Sequence, residues 1–136
     1  MPNSFEGGCH CGAVRYTCEA KPQMAFYCHC VDCQRMSGSA FTVELMVNRA
    51  SFSCSGELTA YAFEGESGPV TRFHCATCGS SIYLEAESDQ THLFVKAGSL
   101  DDPSWVRPAM HIFTKAHQPW LQINDDLPRY SALPEG

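Results

Sequence analysis

The chain has 136 residues, of which 44% are hydrophobic and 18% charged; that is enough apolar material for one core and too little charge for a coiled coil or a disordered segment. Its formal charge of −6 weighs against nucleic acid as a partner. No basic-then-apolar leader opens the sequence and no apolar run nears the roughly 18 residues of a transmembrane helix, so a single cytoplasmic domain over residues 1–136 with no membrane partner is expected.

Short β-like patterns recur along the chain, at residues 13–18, 40–47, 52–54, 58–63, 70–74, 81–85 and 93–97, each bounded by Gly, Pro, Ser, Asp or Glu. Residues 64–69 read as an exposed hairpin turn. Helix is expected only as one turn at 32–38 and one short turn at 101–105, where an Asp precedes Pro103. Pro108, Pro119, Pro128 and Pro134 exclude a long C-terminal helix. That tail reads as an irregular segment whose Trp120, Ile123 and Leu127 cover a sheet. The expected fold class is mainly β with little helix.

Seven of the nine cysteines fall into three tight groups: Cys9-His10-Cys11, Cys28-His29-Cys30-Val31-Asp32-Cys33, and Cys75-Ala76-Thr77-Cys78. Nine thiols cannot pair completely, and a reducing compartment disfavours disulfides. In extended chain, residues i and i+2 face the same side, so Cys9 with Cys11, and Cys28 with Cys30, can aim at one ion. A C-x-x-C segment turns both of its sulfurs to one metal. Zinc takes four ligands at closed sites and three plus an open position at catalytic ones. Seven thiols divide as four plus three: Cys28, Cys30 and Cys33 in one span, and the Cys9/Cys11 and Cys75/Cys78 pairs together. Spacing alone leaves open the partition that joins Cys28 and Cys30 to an outer pair. Inert packing and an iron–sulfur cluster are the weaker accounts of the same thiols. Cys18 and Cys54 stand alone and read as thiols without a role.

Three stretches, Gly7 to Tyr16, Cys28 to Ser39 and Phe73 to Tyr83, together resemble the signatures of the glutathione-dependent formaldehyde-activating enzyme family, which includes the centromere protein V group. The tail is similar as well, at Gly98 to Pro103, His111-Ile112-Phe113, Pro119-Trp120 and Leu127-Pro128, so the likeness runs over residues 7–131. The resemblance implies a β-tent fold with two zinc ions per chain. It implies a structural zinc on Cys9, Cys11, Cys75 and Cys78, and a catalytic zinc on Cys28, Cys30 and Cys33. The implied activity is formation of S-hydroxymethylglutathione from formaldehyde and glutathione, a carbon–sulfur lyase reaction in reverse.

A zinc held by three thiolates is a modest Lewis acid, yet it binds a fourth thiol and strips its proton. A small thiol such as glutathione and a small aldehyde are therefore the expected partners. Glutathione carries two carboxylates, for which Arg35, Arg107 and Lys115 are candidate contacts. Ser37, Gly38 and Ser39 offer hydroxyl and backbone donors after the trio, and His111 and Trp120 are candidate cleft walls. His29 lies between two ligands, so alternation turns it to the opposite face, as a structural group or a proton shuttle. Two other readings compete. A non-catalytic binding module fits the lack of an evident general base beside the trio. A nucleic-acid-binding zinc protein fits the paired cysteines but not the acidic balance.

Overall fold

The computed structural model describes residues 1–134. The order of elements is β1 (Phe5–Gly8), β2 (Arg15–Cys18), β3 (Met24–Cys28), α1 (Val31–Ser37), β4 (Thr42–Asn48), β5 (Phe52–Ser55), β6 (Leu58–Gly65), β7 (Gly68–Cys75), β8 (Ser81–Ala86), β9 (Asp89–Lys96) and β10 (Pro108–Ile112). A three-stranded sheet runs β1-β2-β5, and a seven-stranded sheet runs β10-β3-β4-β9-β8-β7-β6. The expectation of a mainly β protein with little helix holds: among the described residues α1 is the one α-helix, seven residues long. Among the described residues no helix is long and apolar enough to cross a membrane.

The expected strands are all present, with bounds shifted by a few residues, and the hairpin expected at 64–69 closes with Gly65 opposite Gly68. Around Pro103 the chain makes a turn without helix, closed by the Val106 amide donating to the Pro103 carbonyl at 3.1 Å. β1, β3 and β10 have no counterpart among the sequence patterns. β10 begins at Pro108, which suits an outer strand because its first residue gives up no ladder donor. It pairs in parallel with β3, placing His111 opposite Tyr27 and Ile112 opposite Cys28.

One core lies between the sheets, built on Phe5, Val14, Tyr16, Leu45, Val47, Ile82 and Val95. A second cluster covers the other face of the large sheet, where Phe26, Cys28, Cys33, Ile112 and Phe113 pack with half-buried Met24, Phe94 and Tyr130. Period-two alternation separates the two faces. Leu45 and Val95 pair across β4 and β9 on the core side, whereas Phe26, Glu44 and Lys96 form one cross-strand row on the side of Cys28. Ile123 and Leu127 in the tail are half-buried, but Trp120 is 68% exposed and does not cover the sheet as its apolar character suggested. Three prolines and few ladder bonds leave that stretch to wrap by local turns.

After β5 the chain passes Gly56 at a φ of 102°, and a Cβ there would meet the Ala13 carbonyl oxygen at 2.2 Å. Both the backbone angle and the close approach require glycine. Gly56→Ala is expected to cost about 2 kcal/mol or more, read as a lowered urea midpoint with unchanged slope.

Candidate metal centres

Two cysteine groups assemble among the described residues. In each, the sulfur atoms lie within 4.8 Å of one another: Cys9, Cys11, Cys75 and Cys78 in one, Cys28, Cys30 and Cys33 in the other. The quartet joins the loop after β1 to the loop after β7 and thus ties the small sheet to the large one. Cys75 is buried, while Cys11 and Cys78 are exposed. Its Sγ–Sγ separations include 3.5 Å for Cys9–Cys11 and 3.8 Å for Cys11–Cys75. A tetrahedral ion with metal–sulfur bonds of about 2.3 Å sets its ligands about 3.8 Å apart, so the quartet fits zinc. Backbone amides support the sulfurs. Val14 N–H donates to Cys9 Sγ at 3.1 Å, and the Thr77 and Cys78 amides each donate to Cys75 Sγ at 3.4 Å. Such donors stabilise thiolate, the ligating form.

The trio sits where β3 runs into α1. Cys28 ends the strand, and Cys30 is the helix N-cap, its Sγ accepting from the Cys33 amide at 3.3 Å. One helical turn then returns Cys33 to the same point. The helix stops at Gly38, whose φ of 67° closes it, while Ser37 Oγ donates to the Cys33 carbonyl at 2.8 Å. Hydrogen bonds from Cys28, then Cys33, pull the Cys30 thiol down to about 4, while the same sharing drives Cys28 upward. Three crowded sulfurs, of which Cys30 ionises most readily, are a donor set suited to a cation.

A cleft of about 290 Å³ opens over the trio and is lined by all three cysteines. Its walls include Phe26, Phe63, Leu84, Phe94, Ile112 and Phe113. Phe113 has a φ of 55°, unusual for a residue with a side chain, and its amide donates to the Ala132 carbonyl at 3.1 Å.

Glu44 also lines this cleft. It is 4% exposed and ion-paired with Lys96, itself 5% exposed. Burial pushes the Glu44 carboxyl above its ordinary range, against the pull of Lys96. The Lys96 charge also acts on Cys28 and Cys33. Sequence reading finds no acid–base group beside the trio, yet a signal is there: one acid in the run 40–47 and one base in the run 93–97, each amid apolar residues.

None of Arg35, Ser37, Gly38, His111 and Trp120 lines the cleft over the trio. Arg35 is exposed on α1, and Trp120 is exposed in the tail. Ser37 and Gly38 finish the helix; Ser37 also borders a separate groove of about 1060 Å³ that reaches Cys9 but no cysteine of the trio. Arg107 folds back on the Ser104 and Val106 carbonyls, and Lys115 pairs with Glu66 at the cleft rim.

His111 is 3% exposed and bonds His29, which is fully buried, through Nδ1···Nε2 at 2.8 Å. Its Nε2 meets Asp125 Oδ2 at 2.8 Å, and its ring stacks on Tyr27 at 4.4 Å. With a carboxylate as acceptor, His111 donates from Nε2 and, when neutral, accepts from His29 at Nδ1. Burial, ahead of His111 and His117, pulls His29 down to about 4. The chain Asp125–His111–His29 therefore buttresses the β3–β10 pairing behind the trio, on the face opposite the cleft.

The glutathione-dependent formaldehyde-activating enzyme family matches residues 4–116. The chain belongs to that family. A Penicillium rubens protein provisionally named as such an enzyme is 26% identical over 113 residues, 77% of this chain and 59% of its own length. A Podospora anserina protein of the same provisional name is 25% identical over 122 residues, 84% of this chain and 57% of its own. One from Halomonas elongata is 25% identical over 129 residues, 88% of this chain and 80% of its own. This member of the family thus spans less than three fifths of the length of these two fungal relatives. The fold is shared with a Rhodobacter sphaeroides protein of known crystal structure, at a TM-score of 0.58 and 23% identity over 76% of this chain and 91% of that one.

Proposed function

We propose that the protein is a zinc-dependent enzyme of the carbon–sulfur lyase type acting on the thiol adduct of a small aldehyde, with glutathione and formaldehyde the pair that the family name suggests. The observation that carries the proposal is the trio, three sulfurs at one point under an open cleft, beside a buried carboxylate. Cys9, Cys11, Cys75 and Cys78 would hold a structural zinc in a β-tent frame, and Cys28, Cys30 and Cys33 a catalytic one. Zinc bound at the trio supplies affinity for a thiol and lowers its pKa.

The chain's own groups do the rest. The cleft walls exclude water from the reacting sulfur and carbonyl. Lys96 holds Glu44 through Oε1, leaving Oε2 to accept the thiol proton and return it to the carbonyl oxygen. In the addition direction the sulfur bonds the carbonyl carbon, and the C=O π pair moves to oxygen. The proton lost by the thiol ends on that oxygen. In reverse, the hydroxyl proton leaves, the C–S bond breaks and the sulfur is reprotonated.

The test uses cobalt in place of zinc. A thiol that enters the trio site is expected to strengthen sulfur-to-cobalt charge-transfer absorption. S-methylglutathione, with no thiol proton, should leave that absorption unchanged. Exchange NMR of thiol–aldehyde pairs, corrected for the uncatalysed addition, then reads turnover. Cobalt seated at the trio with no response to any thiol would refute the proposal.

A further inference from the structure

Six side chains, Phe26, Phe63, Leu84, Phe94, Ile112 and Phe113, make the cleft over the trio predominantly apolar. Phe26 and Phe94 meet edge to face at 6.0 Å, and the left-handed backbone of Phe113 places a fourth phenyl ring among the lining residues. Among the described residues the charged members of the lining are Asp32, Glu44, Glu66, Asp89 and Arg72; Lys96 pairs with Glu44 and Lys115 with Glu66, which leaves Asp32 and Asp89 without a lysine or arginine partner. Arg72 is already engaged, its guanidinium 4.9 Å from the Tyr61 ring centre and 5.5 Å from that of Phe63. Glutathione would bring two carboxylates into this space, and none of the cationic or donor groups expected to receive them lines it. Formaldehyde fills almost none of about 290 Å³. A thiol with an uncharged, ring-sized apolar substituent matches both the walls and the acidic rim. Its substituent replaces water against the phenyl rings and brings no anion toward the carboxylates.

We infer that the thiol accepted by this site is an uncharged one with an apolar, ring-sized substituent, and not the anionic tripeptide. The inference rests on the thiol–aldehyde proposal and narrows its substrate class. Phe63 and Phe113 determine the selectivity. Phe63 stands on the outermost strand of the large sheet, half-buried, so its replacement leaves the core intact.

The experiment titrates the zinc-loaded 136-residue protein by calorimetry with benzyl mercaptan, 2-mercaptoethanol and glutathione. Benzyl alcohol, which has the ring and no sulfur, is followed by saturation-transfer NMR. Benzyl mercaptan is expected to bind about tenfold or more tighter than either of the other thiols. Phe63→Ser should cut that preference severalfold by weakening benzyl mercaptan far more than 2-mercaptoethanol. Phe113→Leu, which keeps the site apolar but removes the ring, should reduce it as well. Benzyl alcohol should bind weakly and in competition with benzyl mercaptan. If benzyl alcohol binds in a Phe63-dependent way but no thiol binds, the apolar selectivity stands and the thiol proposal falls. If glutathione binds as tightly as benzyl mercaptan, or the preference survives both substitutions, the apolar selectivity is overturned while the thiol proposal stands.

Discussion

Cys75→Ser is expected to give protein that is insoluble or unfolded, whereas Cys30→Ser is expected to stay folded and carry about one metal ion per chain. The difference follows from where each group sits. Cys75 is buried at the end of β7 and belongs to the quartet that joins the two sheets. A metal that binds only the folded arrangement contributes its binding energy to folding, and for a four-thiolate zinc that energy exceeds the net stability of most domains. Removing one ligand leaves two exposed thiols, a cavity and a small sheet without its tie. The trio, by contrast, lies within six residues of one strand-to-helix junction, and its loss disturbs only local packing. Metal content by mass spectrometry and folding by circular dichroism read both variants. A soluble, folded Cys75→Ser protein with two metals would refute this assignment of roles.

Lys96→Met is expected to destabilise the protein by about 3–5 kcal/mol, the loss typical of leaving one member of a buried ion pair alone. Glu44 would then face an apolar wall and negatively charged thiolates without its cation. The penalty carries a pH signature. In the variant Glu44 is held further above its ordinary 4.5, so the folded state binds more protons than the unfolded one. Stability then falls as pH rises from that value through the raised folded one, so the defect is larger at pH 8 than near pH 4.5. The double variant Glu44→Leu/Lys96→Met removes both charges and should recover most of the loss. If Glu44 carries the proton, the double variant remains without turnover although it is stable. Urea titrations at the two pH values, with exchange NMR for turnover, separate the two effects.

The cysteine groups are legible because ligand spacing is a local property: two residues in extended chain, or three in a turn, fix where sulfurs point. What spacing leaves open, which pairs share an ion, depends on the sheets that bring Cys9 beside Cys75. Strand β3 escapes notice because both of its faces are covered, by the core on one side and the cleft cluster on the other, so Met24–Cys28 shows no alternation. Strand β1 contains Gly7 and Gly8, poor strand formers. Gly7 is there because a Cβ would lie 2.3 Å from the Ser99 carbonyl oxygen, a contact invisible in the sequence. The candidate glutathione contacts lie outside the cleft lining for a different reason. Arg35 is near the trio along the chain, but one helical turn carries its side chain to solvent. The cleft walls instead come from strands β3, β6, β8, β9 and β10, which no sequence window spans.

The two cysteine sites also differ in when they can exist. As the chain leaves the ribosome, Cys28, Cys30 and Cys33 emerge together and can seize an ion at once. Cys9 and Cys11 are already out, but their partners Cys75 and Cys78 follow about forty residues later. During that interval the five grouped thiols already made, Cys9, Cys11, Cys28, Cys30 and Cys33, compete for whatever metal arrives, and an ion bridging Cys9, Cys11, Cys28 and Cys30 would satisfy four ligands while forbidding the native sheets. With metal at both groups, the order of loading would follow the order of the strands, and metal supply during synthesis would decide which thiols share an ion.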